Sequence, residues 1–273
     1  MKKSLKYTYI LCLVCICLAI IYSICIVYIS KCNNTISESF KNQNKLSHNL
    51  DTYCINLDKN TDRWNRIEEA IKHNTIKIKR FSAHHGKLLN QKDLIDSGVL
   101  HRYHELDAGQ LGCAYSHISV MNLIKNGNAQ YGLILEDDVV LPDDLLTTID
   151  NLSKSFPDTW DIIFLGGCNI KGTLYSNKKM IKPTDNTGTY NLCCHAMLFN
   201  RDTIDNVLDC LTPLKYPIDN QLRNNFDSKL VVYYTNPNII NQNKDLISVR
   251  RVIDGKPQSD YWKKNHTNIE IIT

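Results

Sequence analysis

The stretch from Tyr131 to Asp144 constrains the fold of this chain more than any other. Its letters are YGLILEDDVVLPDD, so a short apolar run ends abruptly in acids. A short apolar run bounded by Gly and Pro is typical of a strand that is buried on both faces. In an open α/β sheet, ligands bind beyond the carboxyl ends of such strands. The stretch therefore predicts an α/β fold with a binding site directly after this strand.

The three acids at the end of this run, Glu136, Asp137 and Asp138, predict a metal site. Adjacent carboxylates repel each other unless a positive group lies between them, and hard oxygen ligands suit Mn²⁺ or Mg²⁺, whose usual companion is a diphosphate. Because side chains alternate along a strand, Glu136 and Asp138 would share a side and are the candidate ligands. The alternative is a solvated acidic turn before a helix near Pro142, since acids also favour helix N-termini.

Length and composition indicate one catalytic-sized domain with an appendage. The 273 residues, 43% of them hydrophobic, can bury one good-sized core. The net charge of +4 comes with scattered lysines and no basic stripe, so we expect no nucleic-acid partner. Five of the eleven cysteines lie in or beside an apolar amino-terminal segment. The others lack paired zinc-type spacing, so we expect buried thiols, with one or two disulfides as the alternative.

The amino-terminal segment predicts an uncleaved membrane anchor. Residues 7–30 carry no charge, and two dozen residues at about 1.5 Å each cover a hydrocarbon core of roughly 30 Å. The shorter apolar core and small-residue cleavage site of a signal peptide are not evident. The lysines in residues 1–6 give a positive cytoplasmic flank. We therefore expect a single-pass type II membrane protein whose body lies in the lumen of the endoplasmic reticulum or Golgi.

Beyond the anchor, the composition changes twice. Residues 31–49 are polar and predict a stem. Residues 50–250 carry the apolar periodicity of a folded domain, and residues 251–273 are polar and basic, which predicts a tail or a lid.

The domain opens with a pattern typical of parallel sheet. A strand at 52–57 is followed by a helix capped at Thr61 and by a second strand at about 76–81, which together predict a βαβ-like unit. Helical spacing predicts a longer helix from about 109 to 126. Further strands are expected at 161–165, 194–199 and 230–234.

Motifs spread over the domain resemble those of glycosyltransferase family 25, in the family's order. They are Ile55-Asn56-Leu57-Asp58, Asp62-Arg63-Trp64, Arg80-Phe81 with Ala83 and Gly86, Leu111-Gly112-Cys113-Ala114-Tyr115-Ser116-His117, Ile134-Leu135-Glu136-Asp137-Asp138-Val139, Trp160-Asp161-Ile162-Ile163-Phe164-Leu165-Gly166, Pro217-Ile218-Asp219, and Gln242 with Ser248. The Gly-Cys-x-x-Ser-His and Glu-Asp-Asp motifs are the specific ones. The resemblance covers residues 53–248 and implies a GT-A fold, a Rossmann-like domain that binds nucleotide sugars.

The resemblance also implies a reaction. This family, which includes lipooligosaccharide and procollagen galactosyltransferases, suggests transfer of galactose or glucose from a UDP-sugar to a hydroxyl of a glycan or protein acceptor. Mn²⁺ or Mg²⁺ held by Glu136 and Asp138 would neutralise the leaving diphosphate. An inverting member needs a carboxylate that takes the proton of the acceptor hydroxyl, and Asp219 and Asp161 are both open candidates.

The donor would be bound after the first strand and near the Ser-His motif. Asn56 and Arg63 lie where the family places its nucleotide, with a solvated helix charge as the alternative for Arg63. Asp137 would hold a ribose hydroxyl, or else cap a helix or form an ion pair. Ser116 and His117 point about 100° apart on a helix, so they cannot form a nucleophile–base pair with each other.

The resemblance adds Gln242 to the donor-binding residues. His117 is expected to pack and hydrogen-bond near the donor, and Cys113 to be a core residue rather than a nucleophile. One departure concerns His85, which stands where the family often has an acid just before the Gly of its Ala-x-x-Gly turn. This chain therefore has no acid at that position of the motif to act on the donor sugar.

Two other functional classes use the same acids. A metal-dependent hydrolase would activate water with them, but it normally needs more His or Asp ligands at fixed spacing than this sequence offers. A catalytically silent, membrane-anchored sugar-binding protein would keep the fold and lose the base. The intact Glu-Asp-Asp motif argues against the second alternative.

Overall fold

The computed structural model describes a folded domain and little of what precedes it. The described residues are 45–72, 74–175, 178–184, 190–243, 246, 252–253, 256–257 and 269–272. The chain divides into two units, Met1–His48 and Asn49–Thr273. The predicted anchor and most of the predicted stem lie outside the described residues. In the part that is described, no helix has the length and apolar character needed to cross a membrane.

The described residues form six α-helices and three short 3₁₀ helices. The α-helices are α1 (Thr61–Lys72), α2 (Gln91–Asp96), α3 (Ala108–Lys125), α4 (Leu145–Ser153), α5 (Ile204–Leu211) and α6 (Ile218–Arg223). The 3₁₀ helices are Leu46–Asn49, Gly86–Leu88 and Arg201–Thr203. Helix α3 begins at a capping box, in which Asp107 accepts from the backbone of Gln110 and Gln110 accepts from that of Asp107. The predicted long helix is thus confirmed to within one residue at each end.

A nine-stranded mixed sheet forms the centre of the described domain. The described residues contain thirteen strands, nine of them in this sheet: β1 (Leu50–Asn56), β2 (Ile78–Ser82), β3 (Tyr131–Glu136), β4 (Val139–Val140), β5 (Ile162–Phe164), β6 (Ile170–Tyr175), β7 (Met180–Pro183), β8 (Ala196–Asn200), β9 (Val232–Thr235), β10 (Asn241–Gln242), β11 (Val252–Ile253), β12 (Lys256–Pro257) and β13 (Ile269–Ile271). The sheet order is β13-β6-β7-β9-β5-β8-β3-β1-β2, while β10 pairs with β4 and β11 with β12.

The predicted opening unit is confirmed, because β1 pairs in parallel with both β2 and β3. The expectation of a parallel sheet holds in part, since β5 also pairs in parallel with β9. Strand β8 inserts between β3 and β5 and is antiparallel to both, so the whole sheet is mixed. Leu133, Ile134 and Leu135 have no exposed surface, as expected for a strand covered on both faces.

Two parts of the sheet differ from the sequence-based expectation. The pair β6 and β7 was not predicted, because its residues lack a clear alternation of polar and apolar side chains. Within the segment 251–273, predicted as a polar tail, Ile269–Ile271 forms β13 and pairs in parallel with β6. A short run rich in isoleucine favours a strand even within a polar segment.

The described cysteines include both a disulfide and buried thiols, the two alternatives that the sequence left open. Cys168 and Cys193 form a disulfide, which closes a loop that contains β6 and β7. Of the described cysteines outside this bond, Cys54, Cys194 and Cys210 are buried and Cys113 is half-buried.

Candidate active site

The register of the first three strands brings Asn56 and Asp137 together. Ile55 of β1 lies opposite Glu136 of β3 in a parallel pair, so the next residue of each strand extends beyond the same edge. The amide of Asn56 donates to Oδ2 of Asp137 at 2.7 Å, and Nη1 of Arg63 donates to Oδ1 at 2.8 Å. The structure therefore joins three of the predicted donor-binding residues in one network.

Arg63 remains charged although the Arg63–Asp137 pair is largely buried. The side chains are only 14% and 11% exposed. Burial alone would lower the pKa of Arg63, but the hydrogen bond to Asp137 raises it above its ordinary value. Asp137 thus forms an ion pair, which was one of the two roles left open for it, and the pair places a fixed guanidinium at this edge of the sheet.

Arg80 is a site residue that the sequence did not single out. It lies on β2, and its Nε and Nη2 donate to Oδ1 of Asn56 at 3.0 and 2.6 Å. Because a guanidinium only donates, it fixes the Asn56 amide with its nitrogen facing Asp137. Its place in the Arg-Phe motif was the available signal, but only the pairing of β2 with β1 shows what it contacts.

Asp138 lies in the turn that follows β3. The pairing of β4 with β10 places Gln242 opposite Val139, and Nε2 of Gln242 lies 3.4 and 3.3 Å from the two carboxylate oxygens of Asp138. Burial raises the pKa of Asp138 above its ordinary value, and the neighbouring Asp137 adds to this shift. Arg63 and Gln242 oppose the shift without cancelling it. This carboxylate therefore fits a divalent cation, which would compensate the charge that burial disfavours.

Glu136 faces a different neighbour. Its Oε1 lies 3.7 Å from Nε2 of His117 and 4.0 Å from Sγ of Cys113, both on α3. The expected alternation along the strand stops at Glu136, because β3 ends there and the next two residues form a turn. The contacts of Glu136 and Asp138 accordingly point to different elements.

Ser116 holds a loop rather than facing the acidic turn. It is fully buried, its hydroxyl donates to the carbonyl oxygen of Gly112 at 2.6 Å, and it accepts from the backbone of His84 at 2.9 Å. The loop lies so close to α3 that a Cβ on Gly86 would stand 1.6 Å from the carbonyl oxygen of Ala108. The glycines of the two motifs are thus explained by close backbone approach.

Asp219, one of the two base candidates, lies near this edge. It is half-buried in the first turn of α6, and its Oδ1 accepts from the backbone of Asn220 at 2.9 Å. Burial, then the charges of Asp219 and Glu136, raise the pKa of the Cys194 thiol. Asp219 and Glu136 are therefore both close enough to Cys194 to act on it electrostatically.

Asp161, the other base candidate, lies at the opposite edge of the sheet. Ile162 is level with Phe199, and Phe199 with Gly132, so Asp161 is level with Tyr131 at the start of β3. This is five positions before Glu136, or roughly 17 Å along the strand. The structure does not bring Asp161 to the other predicted site residues, so the base role does not fit it.

Comparisons with known proteins agree with the motifs. A sequence model of the family described as glycosyltransferase family 25 (LPS biosynthesis protein) matches residues 49–221, which is more than half of the chain. The match places the chain among the glycosyltransferases. It belongs to glycosyltransferase family 25, and the family predicted from the sequence is confirmed.

Curated relatives of the chain are much longer proteins. Procollagen galactosyltransferase 1-B of Xenopus laevis is 30% identical over 128 residues, which are 42% of this chain and 21% of the relative. Procollagen galactosyltransferase 2 of Homo sapiens is 29% identical over 126 residues, 42% of this chain and 20% of the relative. The chain thus matches about a fifth of each. A solved structure of the glycosyltransferase GlyE of Streptococcus pneumoniae TIGR4 has a TM-score of 0.34 and 8% identity, covering 66% of this chain and 44% of that one.

Proposed function

We propose that this chain transfers a hexose, galactose or glucose, from a UDP-sugar to a hydroxyl of a glycan or protein acceptor, with inversion at the sugar carbon. One observation carries the proposal. This chain belongs to the family, and five of its polar side chains converge beyond the carboxyl ends of β1 and β3: Asn56, Arg63, Asp137, Asp138 and Gln242. Nucleotide ligands bind at this place in α/β sheets. The same placement supports a GT-A arrangement of the domain.

The nucleotide end of the donor would meet a prearranged set of polar groups. Asn56 is held between Arg80 and Asp137, and Asp137 is held by Arg63. These bonds fix the side chains before the donor arrives, which lowers the entropy that binding must overcome. The two guanidinium groups supply positive charge beside the place of the diphosphate.

Asp138 and Glu136 would hold the divalent cation, Mn²⁺ or Mg²⁺, at this edge. When bound, the cation neutralises charge on the leaving diphosphate. Asp138 supports this role because desolvation raises the pKa of its half-buried carboxylate and its contacts with the Gln242 amide are long. Gln242 would fix the orientation of that carboxylate.

Asp219 would take the proton from the acceptor hydroxyl. Its position in the first turn of α6 leaves its carboxylate half-buried, with one oxygen accepting from the backbone of Asn220. A carboxylate within hydrogen-bond reach of an attacking hydroxyl is the requirement for this step. Asp161 cannot meet that requirement from the opposite edge.

The proposal is tested with the purified full chain, Mn²⁺ and a panel of UDP-sugars. UDP release is measured by chromatography, with procollagen-type polypeptide and free glycans as alternative acceptors. We expect release that depends on one UDP-hexose, on the cation and on one acceptor class. Binding of UDP without any transfer would favour a silent sugar-binding protein, and acceptor hydrolysis without a UDP-sugar would favour a hydrolase.

We further propose that residues 7–30 anchor the chain in the membrane of the endoplasmic reticulum or Golgi, with the domain in the lumen. The uncharged length of this segment and the lysines before it support the proposal. Protease treatment of microsomes tests it. Digestion of the carboxyl-terminal domain without detergent would contradict this topology.

A further inference from the structure

A thiol, an imidazole and a carboxylate converge between α3 and the end of β3. Sγ of Cys113, a ring nitrogen of His117 and a carboxylate oxygen of Glu136 all lie within 4.8 Å of one another. Cys113 and His117 are four residues apart on α3, so they lie on one face of the helix. Because α3 packs against β3, that face meets the carboxyl end of the strand, where Glu136 stands.

The hydrogen bond between Nδ1 of His117 and a backbone carbonyl indicates that the other ring nitrogen, Nε2, presents a lone pair to Glu136. Nδ1 lies 3.0 Å from the carbonyl oxygen of Cys113, which can only accept, so Nδ1 carries the proton. In the neutral ring, Nε2 then carries a lone pair. Nε2 is fully buried and makes no hydrogen bond within the described residues, and Oε1 of Glu136 lies 3.7 Å away.

This arrangement favours a cation between the two acceptors. The lone pair of a buried imidazole that faces a carboxylate is unfavourable unless a proton or a metal ion lies between them, and Glu136 itself is half-buried. A histidine that binds a metal through one nitrogen usually donates the other N–H to a carbonyl or carboxylate, as Nδ1 does here. The same proton on Nδ1 prevents that nitrogen from taking the proton of the Cys113 thiol, which argues against a nucleophilic triad.

Two of the three separations are close to those between ligands of one zinc ion. Zinc bond lengths of about 2.3 Å to sulfur and 2.0–2.2 Å to nitrogen and oxygen, at tetrahedral angles, separate N from O by about 3.4 Å and S from O by about 3.6 Å. The corresponding separations here are 3.7 and 4.0 Å. Shifts of a few tenths of an ångström would bring these two separations to the zinc values; Sγ itself lies 3.7 Å from the other ring nitrogen, Nδ1.

We propose that Cys113, His117 and Glu136 bind one zinc ion through Sγ, Nε2 and Oε1. Sulfur and imidazole ligands favour zinc over Mn²⁺ or Mg²⁺, which prefer oxygen. Binding converts the Cys113 thiol to a thiolate and releases one proton to solvent. Three protein ligands leave a fourth position for water or substrate. The ion ties α3 to the end of β3 and orients Glu136, and since a carboxylate has two oxygens, the other can still act toward a cation at Asp138.

Metal content tests the site directly and does not depend on the proposed transferase activity. The full chain is purified, stripped with a chelator, exposed to Zn²⁺, desalted and measured by plasma mass spectrometry. We expect about one zinc per chain, and loss of that zinc in Cys113→Ser, His117→Asn and Glu136→Gln. His117→Asn is chosen because its amide can still donate to the Cys113 carbonyl. Cys210→Ser, a buried thiol on α5, is the matched control and should keep the zinc.

Two measurements on the unmodified chain keep the test decisive if a variant does not fold. Cobalt in place of zinc should give a thiolate-to-metal charge-transfer band in the near ultraviolet. Zinc should also slow alkylation of the half-buried Cys113, followed by peptide mass spectrometry. Zinc binding that is unchanged in all three variants, a cobalt spectrum without the thiolate band, or alkylation of Cys113 at the same rate with and without zinc would each overturn the proposal.

Discussion

Two aspartates at opposite edges of one sheet, Asp161 and the half-buried Asp138, are held in different ways. At the amino edge of β5, Asp161 is 4% exposed, and its oxygens accept from the amide of Asn206 at 3.0 Å and from the backbone of Val231 at 2.7 Å. At the carboxyl edge of β3, the oxygens of Asp138 meet the amide of Gln242, at 3.3 and 3.4 Å, and the backbone N–H of Asp138 itself.

The difference separates a structural carboxylate from one placed for a ligand. Asp161 ties the start of β5 to the start of β9, because its own backbone also donates to Val231 at 2.8 Å. Asp138 lacks comparable donors in the described structure, and it lies beside the charged Asp137. A carboxylate whose charge is disfavoured by its surroundings gains most from a cation, so function is expected at the second edge.

The largest effect is expected for Asp138→Ala. Removal of this carboxylate leaves the diphosphate charge uncompensated, so transfer should be abolished, with a loss of at least about 10³-fold given the several kcal/mol that a bound cation contributes. Calorimetry with UDP and Mn²⁺ should show weakened metal-dependent binding. Asp161→Ala is the control from the other edge and should keep that binding. Unchanged Mn²⁺-dependent affinity in Asp138→Ala would place the cation elsewhere.

Asp219→Asn should give the next largest effect. The substitution keeps the size and most hydrogen bonds of the side chain and removes its basicity. A true base should lose about 10² to 10⁴ in kcat while donor affinity stays nearly intact. Steady-state kinetics at saturating donor, together with UDP binding, measure the two separately. Weakened donor binding with near-normal kcat would mean that Asp219 orients the donor and that Glu136 is the remaining candidate base.

The effect of Asp161→Ala should fall on stability. The variant removes the hydrogen bonds that the carboxylate accepts from Val231 and Asn206, and a typical hydrogen bond contributes about 0.5–1.5 kcal/mol. Thermal unfolding followed by circular dichroism should show a lower midpoint, while kcat per folded molecule stays unchanged. Asn206→Ala, which removes only one of the two partners, should cost less. A large fall in kcat without a fall in stability would return the base role to Asp161.

Local sequence patterns predicted the elements that surround the site. The apolar run before Glu136 gave the buried strand, and helical spacing with a glycine stop gave α3, because both signals depend on neighbours in the chain. The Glu-Asp-Asp motif also located the acidic turn correctly. The direction of each of its side chains was harder to predict, since alternation applies only while the strand continues.

Contacts between distant segments could not be predicted in this way. Arg80 reaches Asn56, and Gln242 reaches Asp138, only through the pairing of β2 with β1 and of β10 with β4. For Asp161 a usable signal was present. It precedes its strand, whereas Glu136 ends one, and strands that run in the same direction carry such residues at opposite edges.

The smallest effect is a pH dependence at Asp138. Its pKa in the folded state is raised above the ordinary 3.8, so between these two values the folded state binds more protons than the unfolded state. Stability therefore falls as pH rises through this window and stays lower above it.

Asp138→Asn removes this contribution. Its stability relative to the unsubstituted chain should thus increase as pH rises from below 3.8 and then level off. Urea unfolding at a series of pH values, with a chelator present, measures the difference. Asp143→Asn, an exposed acid of the same turn region, is the matched control for loss of one charge. A difference that is constant with pH, or that shrinks as pH rises, would show that the surroundings of Asp138 do not disfavour its charge, and the contrast with Asp161 would then lose its electrostatic basis.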